Sequence, residues 1–311
     1  AMQSEIEVIR ASVPQARRPD RTRRVDVGGI EVSVVEWGSE ENPPVLLAHG
    51  GFDFAGTFDI LGPLLAEAGF RAVAWDQRGH GDSDLAALYT WEADVRDAAL
   101  VLASLGSADP VPVLGHSKGG GMVDQLAEVI PHRIGAVVNL DGIPNKRGFA
   151  QKIDRTDVAA LDTELAAWLD HRRRAGHTLR RADTLQGLAE RRRVMNPRLS
   201  VEWLQYLVTV GAREDTDGWR WKIDPTLRFG PSGAWRPEWA IPRLRGLHVP
   251  FLGIVGTIEE EMGWATSPDE ALPILPDGAE FHALANTGHF VHIERPEDVA
   301  EIVIDFLGRA L

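Results

Sequence analysis

The stretch Val111–Gly121, VPVLGHSKGGG, constrains the folding of this 311-residue chain more than any other. A short apolar run meets Gly115-His116-Ser117-Lys118-Gly119, and an apolar helical pattern follows, so a G-x-S-x-G pattern falls between a strand and a helix. A serine on so sharp a turn adopts a strained backbone conformation. Its neighbours two residues away on either side must be small for the strand and helix to cross closely. The strain exposes the hydroxyl. It also aims the first helical N–H groups, with the positive end of the helix dipole, at the place where negative charge would develop.

Composition narrows the classes. With 44% hydrophobic and 25% charged residues the chain reads as globular, long enough for a full core and one inserted module. No apolar run reaches the roughly 18 to 20 residues of a membrane span, so no membrane insertion is expected. Met2–Ile9 lacks a signal-peptide core, and the expected location is cytoplasmic. The absence of cysteine excludes disulfides, thiolate metal sites and cysteine nucleophiles. A net charge of −13 argues against nucleic acid as a partner. The charge is uneven, however. Between Asn145 and Arg245 there are 20 basic against 13 acidic residues, whereas the rest of the chain carries 13 against 33. The same segment holds six of the ten tryptophans (168, 203, 219, 221, 235 and 239), which suggests a separate module.

In chain order, residues 1–24 read as a polar, surface-lying or poorly ordered tail with an Arg-rich end. A hairpin is expected around Gly28-Gly29, and buried strands at Val45–Ala48, Arg71–Trp75, from Val111, and at Ile134–Leu140. Helices are expected over Thr57–Ala68, from Thr90 to about Leu105, and from Lys118 to about Ile130. The alternation then stops for about a hundred helical, Arg- and Trp-rich residues. It resumes with strands at Val249–Val255 and Glu280–Leu284 and a helix from Pro296 to Leu307. Alternating strands and helices imply a mostly parallel central sheet with helices on both faces. An insert between two of its strands is most simply a cap over the strands' C-terminal ends, where such sheets bind ligands.

Four motifs occur in order: His49-Gly50-Gly51, Asp76-Gln77-Arg78-Gly79-His80-Gly81-Asp82-Ser83, Gly115-His116-Ser117-Lys118-Gly119, and Gly288-His289. With them the chain resembles the α/β-hydrolase fold family, specifically its serine-nucleophile branch with a cap domain, over nearly all of residues 25–310. The resemblance implies an α/β core at 1–144 and 246–311 with a helical cap at 145–245. It makes Ser117 the nucleophile and His289, in the loop after the last strand, its base. The family usually places the triad acid after the strand that follows the cap. Spacing there selects Glu259, with Asp141, at the end of the strand before the cap, and Glu260 as alternatives. Oxyanion-hole donors are expected at the backbone of Gly51 and Lys118, with the Lys118 side chain exposed. The Asp76–Ser83 stretch is expected to be a structural turn. Phe52, His116, Trp219 and Trp221 are expected to line an apolar pocket above Ser117.

The reaction this implies is hydrolysis of a carboxylic ester or lactone, a small-molecule substrate, through an acyl-Ser117 intermediate without cofactor or metal. C–C or amide hydrolysis and perhydrolysis use similar triads. The fold also serves as a small-molecule receptor or signalling module. Substrate identity and oligomeric state are not written in the sequence.

Overall fold

The computed structural model describes residues 2–147, 158–227 and 240–311. Ten strands are described: β1 (Arg21–Asp26), β2 (Glu31–Trp37), β3 (Pro44–Ala48), β4 (Arg71–Trp75), β5 (Val111–His116), β6 (Ile134–Leu140), β7 (Ala212–Asp215), β8 (Gly218–Trp221), β9 (Phe251–Gly256) and β10 (Glu280–Leu284). Eight of them form one sheet in the order β1-β2-β4-β3-β5-β6-β9-β10. The pairs β1/β2 and β2/β4 are antiparallel and all others parallel. The order reverses at β3, beside β5, and that switch point is where the turn at Ser117 emerges.

The inner strands are continuous apolar runs because both faces of the sheet are covered. Alternate residues of β3 separate cleanly. Leu46 and Ala48 pack with Val101, Leu102, Met122 and Leu126 from α3 (Trp91–Ala103) and α4 (Lys118–Val129). Val45 and Leu47 pack on the other face with Trp37, Leu61, Leu65, Val303 and Phe306. Those residues include members of α2 (Leu61–Glu67) and of the C-terminal helix Pro296–Ala310. Thr90 caps α3 by accepting the Ala93 N–H at 3.2 Å, as its residue type favours.

Between β6 and β9 lie the helices α5 (Val158–Ala175), α6 (Leu185–Met195) and α7 (Val201–Gly211), and the hairpin β7–β8. The inserted segment is thus not purely helical. Gly218, at φ +127°, closes the turn of a hairpin that helical periodicity does not reveal. Trp235 and Trp239 lie outside the described residues. A third apolar cluster joins the insert to the core: Leu188, Trp203, Leu204, Tyr206 and Ile223 pack against Phe54, Ile60 and Phe290.

The expected N-terminal tail is instead structured. Helix α1 (Met2–Ala11) contributes Ile9 to the third cluster, and Arg10 donates to the Thr209 side chain and carbonyl at 3.1 Å each. The Arg-rich run leads into edge strand β1, whose Arg21 and Arg23 join Arg71 of β4 on one buried carboxylate. Glu36 accepts from Arg71 at 2.7 and 2.9 Å, from Arg23 at 3.0 Å and from Arg21 at 3.2 Å. No helix among the described residues is long and apolar enough to cross a membrane.

Burial pushes the Glu36 carboxyl up, and the hydrogen bonds from Arg71, Arg23 and Arg21 more than reverse this, holding it at about 2. A depressed carboxylate contributes stability that is present above its unfolded value near 4.3 and is lost as pH falls through about 2. Glu36→Gln is therefore expected to lower stability by on the order of 1–3 kcal/mol at neutral pH. Urea titrations of the two proteins should converge as pH falls from about 5 toward 2. A constant difference over that range would show that the charge of Glu36 is not what stabilises the edge.

Candidate active site

Ser117 occupies the turn between β5 and α4 at φ +56°, ψ −120°, a conformation that non-glycine residues avoid. The close crossing explains its small neighbours. A Cβ at Gly115 would stand 2.0 Å from the Gly119 carbonyl oxygen, and one at Gly119 would stand 2.1 Å from that of Ala48. The loop after β3 passes directly beside the serine, since a Cβ on Gly50 would lie 3.2 Å from Ser117 Cβ. The next residue but one, Phe52, is also left-handed at φ +55°.

His289 lies in the loop between β10 and the C-terminal helix, and its Nδ1 is 2.6 Å from Asp141 Oδ2 in a buried contact. Asp141 follows β6 at φ +49°. Its N–H donates to the Ile254 carbonyl at 2.7 Å, and its Oδ1 accepts the Gly256 N–H at 3.0 Å. The expected pairing of His289 with Glu259 is not formed. Glu259 is 75% exposed, and it faces Arg147 at 3.8 Å. The reason is reach: β6 and β9 are neighbours in the sheet, and the left-handed turn at Asp141 brings a short carboxylate under the imidazole. Glu260 has a different place, accepting the backbone N–H of His289 at 2.6 Å.

Further contacts bring these residues to one place. A Cβ on Gly142 would lie 2.4 Å from the Ser117 carbonyl oxygen, so the turn at Asp141 abuts the turn at Ser117. Asn139 Oδ1 accepts the Gly142 N–H at 2.9 Å, and its Nδ2 donates to Asp124 at 2.9 Å. Burial raises the Asp124 carboxyl to about 8 against the pull of Asn139. The His116 ring lies 4.6 Å from the His289 ring, with Nε2 2.9 Å from the His289 carbonyl oxygen. His116 is only 1% exposed, so it underpins the histidine loop instead of lining a pocket.

The turn after β4 holds the loop after β3. Gln77 donates its backbone N–H to His49 Nε2 at 3.0 Å and its side-chain amide to the His49 carbonyl at 2.6 Å. Gln77 Oε1 accepts from Lys118 Nζ at 3.1 Å, and Lys118 pairs with Asp94 at 2.7 Å. The Lys118 side chain is therefore engaged and part-buried, not free in solvent. His80 Nε2 accepts the Phe52 N–H at 3.2 Å, and His80 Nδ1 lies 3.0 Å from the Arg78 carbonyl oxygen. Both histidines must be neutral and protonated on Nδ1 to accept at Nε2. Burial agrees, pushing His49 well down and His80 to about 3. Asp76 accepts N–H groups from Ala55 and Asp82, and Arg78 grips Asp97 through two hydrogen bonds, at 2.7 and 2.9 Å.

Of the residues expected to line a pocket, Phe52, Trp219 and Trp221 all pack on the cluster that joins insert and core. Trp221 stacks on Phe54 with ring centroids 5.7 Å apart, and the Arg192 guanidinium lies 5.9 Å from the Trp221 ring. Trp219 pairs through its backbone with Asp183. Gly263 belongs to none of the four sequence motifs. A Cβ there would stand 3.2 Å from His289 Nδ1 and 3.3 Å from Asp141 Oδ2. Among the described residues, no group of three or more His, Asp or Glu side chains could hold a metal ion.

The chain belongs to the α/β-hydrolase fold family, whose model matches residues 43–296. It is similar to a serine hydrolase-like protein of Danio rerio, 26% identical over 94% of this chain and 89% of that one. A serine hydrolase-like protein of Dictyostelium discoideum is 34% identical, over 37% of this chain and only a third of its own length. Among solved structures, the thioesterase domain from the curacin biosynthetic pathway superposes with a TM-score of 0.77. It covers 92% of this chain and 99% of that domain at 21% identity, a likeness of fold.

Gly263 keeps the space beside the His289–Asp141 hydrogen bond clear. Gly263→Val is expected to part the pair while leaving the fold intact, because the crowding is local. The low-field imidazole N–H proton signal of wild type should vanish from the NMR spectrum of the variant. A retained signal would show that the space over the pair is not limiting.

Proposed function

We propose that the protein is a serine hydrolase that cleaves a carboxylic ester or lactone through an acyl-Ser117 intermediate. The observation that carries the reading is the buried His289–Asp141 pair, 2.6 Å apart, set against the turn of Ser117. An ionised carboxylate only accepts hydrogen bonds, so Asp141 fixes the imidazole proton on Nδ1 and leaves Nε2 free to act as base. In this reading His289 takes the Ser117 proton as Oγ attacks the carbonyl carbon, and later returns it to the leaving alcohol. Water attacks the acyl-enzyme in the second half, with His289 again as base. Asp141 orients the ring and stabilises its protonated form.

The oxyanion would sit between the Lys118 N–H at the start of α4 and the Gly51 N–H. Support for Gly51 comes from its neighbour, whose N–H is committed to His80. A hole made of two backbone donors, one of them at a helix N-terminus, is preorganised, and each such donor is worth roughly 3–4 kcal/mol in the transition state. Residues 145–245 act in this reading as the cap. Phe52, Trp219 and Trp221, packed on the joining cluster, would give the acyl side an apolar wall.

The test is stoichiometric labelling of Ser117 by a fluorophosphonate, alongside turnover of p-nitrophenyl esters of graded chain length. Wild type should label and turn over esters. Ser117→Ala should not label, and its kcat should fall by about 10⁶-fold on the serine-triad precedent. An unlabelled wild type would instead favour a binding module on the same fold.

A further inference from the structure

The corner of the inserted segment between α6 and α7 reaches both halves of the site with two arginines. Arg192, on α6, donates from Nη1 to the Phe52 carbonyl at 2.6 Å and from Nε to Asn196 at 2.7 Å. Its Nη2 lies 3.8 Å from Asp53, and its side chain is 10% exposed. Arg198, just before α7, donates from Nη2 to the Asn286 carbonyl at 2.7 Å and from Nε to Glu294 at 3.0 Å. Glu294 in turn accepts the Gly288 N–H at 2.8 Å, one residue before His289. A Cβ at Gly288 would stand 2.7 Å from Arg198 Cδ, so the arginine stem lies flat on the histidine loop.

Both carbonyl acceptors belong to left-handed non-glycine residues, Phe52 at φ +55° and Asn286 at φ +53°. Each such residue costs of order 1–3 kcal/mol unless its surroundings over-determine it. At Phe52 the core supplies one constraint, the His80 ring on the N–H, and Arg192 supplies the other on the carbonyl. The guanidinium suits the task because its planar fork bonds two acceptors at fixed angles, which an ammonium cannot do.

We infer that Arg192 and Arg198 are positioning residues. The insert's corner acts as a strap that holds the oxyanion loop through Phe52 and the His289 loop through Asn286, so the site is complete only when the corner is seated. This rests on the serine-hydrolase reading for its catalytic consequence, but not for the clamping of the two loops. The strap makes seating of the insert a condition of activity: a ligand that lifts the corner loosens the oxyanion loop and the base together.

The test compares Arg192→Met and Arg198→Met with wild type, and with Arg193→Met, an exposed neighbour outside the strap. Two readouts are taken: the rate of fluorophosphonate labelling of Ser117, and amide hydrogen exchange. A misplacement of about 1 Å costs on the order of 10²-fold, so labelling by each strap variant should slow by tenfold to a hundredfold. With esters the loss should fall on kcat more than on KM. Exchange should rise at residues 50–55 in Arg192→Met and at 285–290 in Arg198→Met, with Arg193→Met unchanged in both. Millimolar ethylguanidinium should restore part of the rate of Arg192→Ala, whose truncation vacates the site, which a general packing defect would not allow. Should Arg192→Met fail to fold, Arg192→Lys, which keeps the charge beside Asp53 but not the fork, should show an intermediate loss. Labelling rates within twofold of wild type in the folded strap variants would overturn the inference, as would unchanged exchange in both loops. A wild type that does not label would refute the serine-hydrolase reading, and the exchange pattern would then decide the strap alone.

Discussion

The hydrogen bond between His289 and Asp141 joins two chain segments 148 residues apart, and much of the surrounding backbone is shaped by the need to make it. Asp141 can reach the imidazole only by leaving β6 through a left-handed turn. That turn is held by the Ile254 carbonyl, the Gly256 N–H and the Asn139 side chain. Glycine is required at 142, where a Cβ would strike the serine's carbonyl, and a Cβ at 263 would crowd the pair itself. His289 is fixed from the other side, its N–H by Glu260 and its carbonyl by His116. Of the five left-handed non-glycine residues among the described residues, three, Phe52, Ser117 and Asp141, converge here. The strain is concentrated where geometry must be exact to a fraction of an ångström, and parallel strands buried on both faces supply the rigidity that sustains it.

Around this pair lies a shell of histidines that burial keeps neutral. His49 and His80 each accept a backbone N–H at Nε2, and protonation would break both contacts that hold the loop after β3. His292, pushed down to about 3 by burial and by His289, meets Thr57 at 2.9 Å under the same loop cluster. Neutral histidines of this kind stabilise above an unfolded pKa near 6.5, and that contribution is lost as pH falls toward about 3. Buried carboxyls act in the opposite sense. Asp59, raised to about 6 by burial against the pull of Arg18 and Tyr206, favours the fold at lower pH. The histidines sit at the site, whereas Asp59 ties the N-terminal arm to α7 through Arg18 and Tyr206.

Much of this was legible in the residues. Gly115 and Gly119 flank Ser117 because backbone atoms pass about 2 Å from where a Cβ would be, so the motif reports a real steric demand. The strands read as apolar runs because both sheet faces are covered, and Arg71–Trp75, Ile134–Leu140 and Glu280–Leu284 fall where the pattern places them. The pairing partner of His289 was not legible, because chain spacing does not show that β6 and β9 are neighbours, nor that the residue directly after β6 turns left-handed, at φ +49°, beneath the imidazole while Glu259 stays in solvent. The Arg-rich N-terminus misled for a related reason. Its charges read as solvated, but strand β1 places Arg21 and Arg23 against Glu36, a partner that only β-sheet register reveals. The part played by Arg192 is not legible because it sits in an Arg triplet, and the sequence does not distinguish this buried member from Arg191 and Arg193.

The carboxylate behind His289 decides how the site would work, so the most direct measurement is ester-hydrolysis kinetics of Asp141→Asn beside Glu259→Gln. Asparagine preserves shape, but with its oxygen held by the Gly256 N–H it turns a donor NH2 toward Nδ1 and favours the wrong tautomer, so kcat should fall by on the order of 10⁴-fold, while Glu259→Gln should stay within about twofold of wild type. The reverse pattern, with Glu259→Gln crippled and Asp141→Asn active, would contradict it.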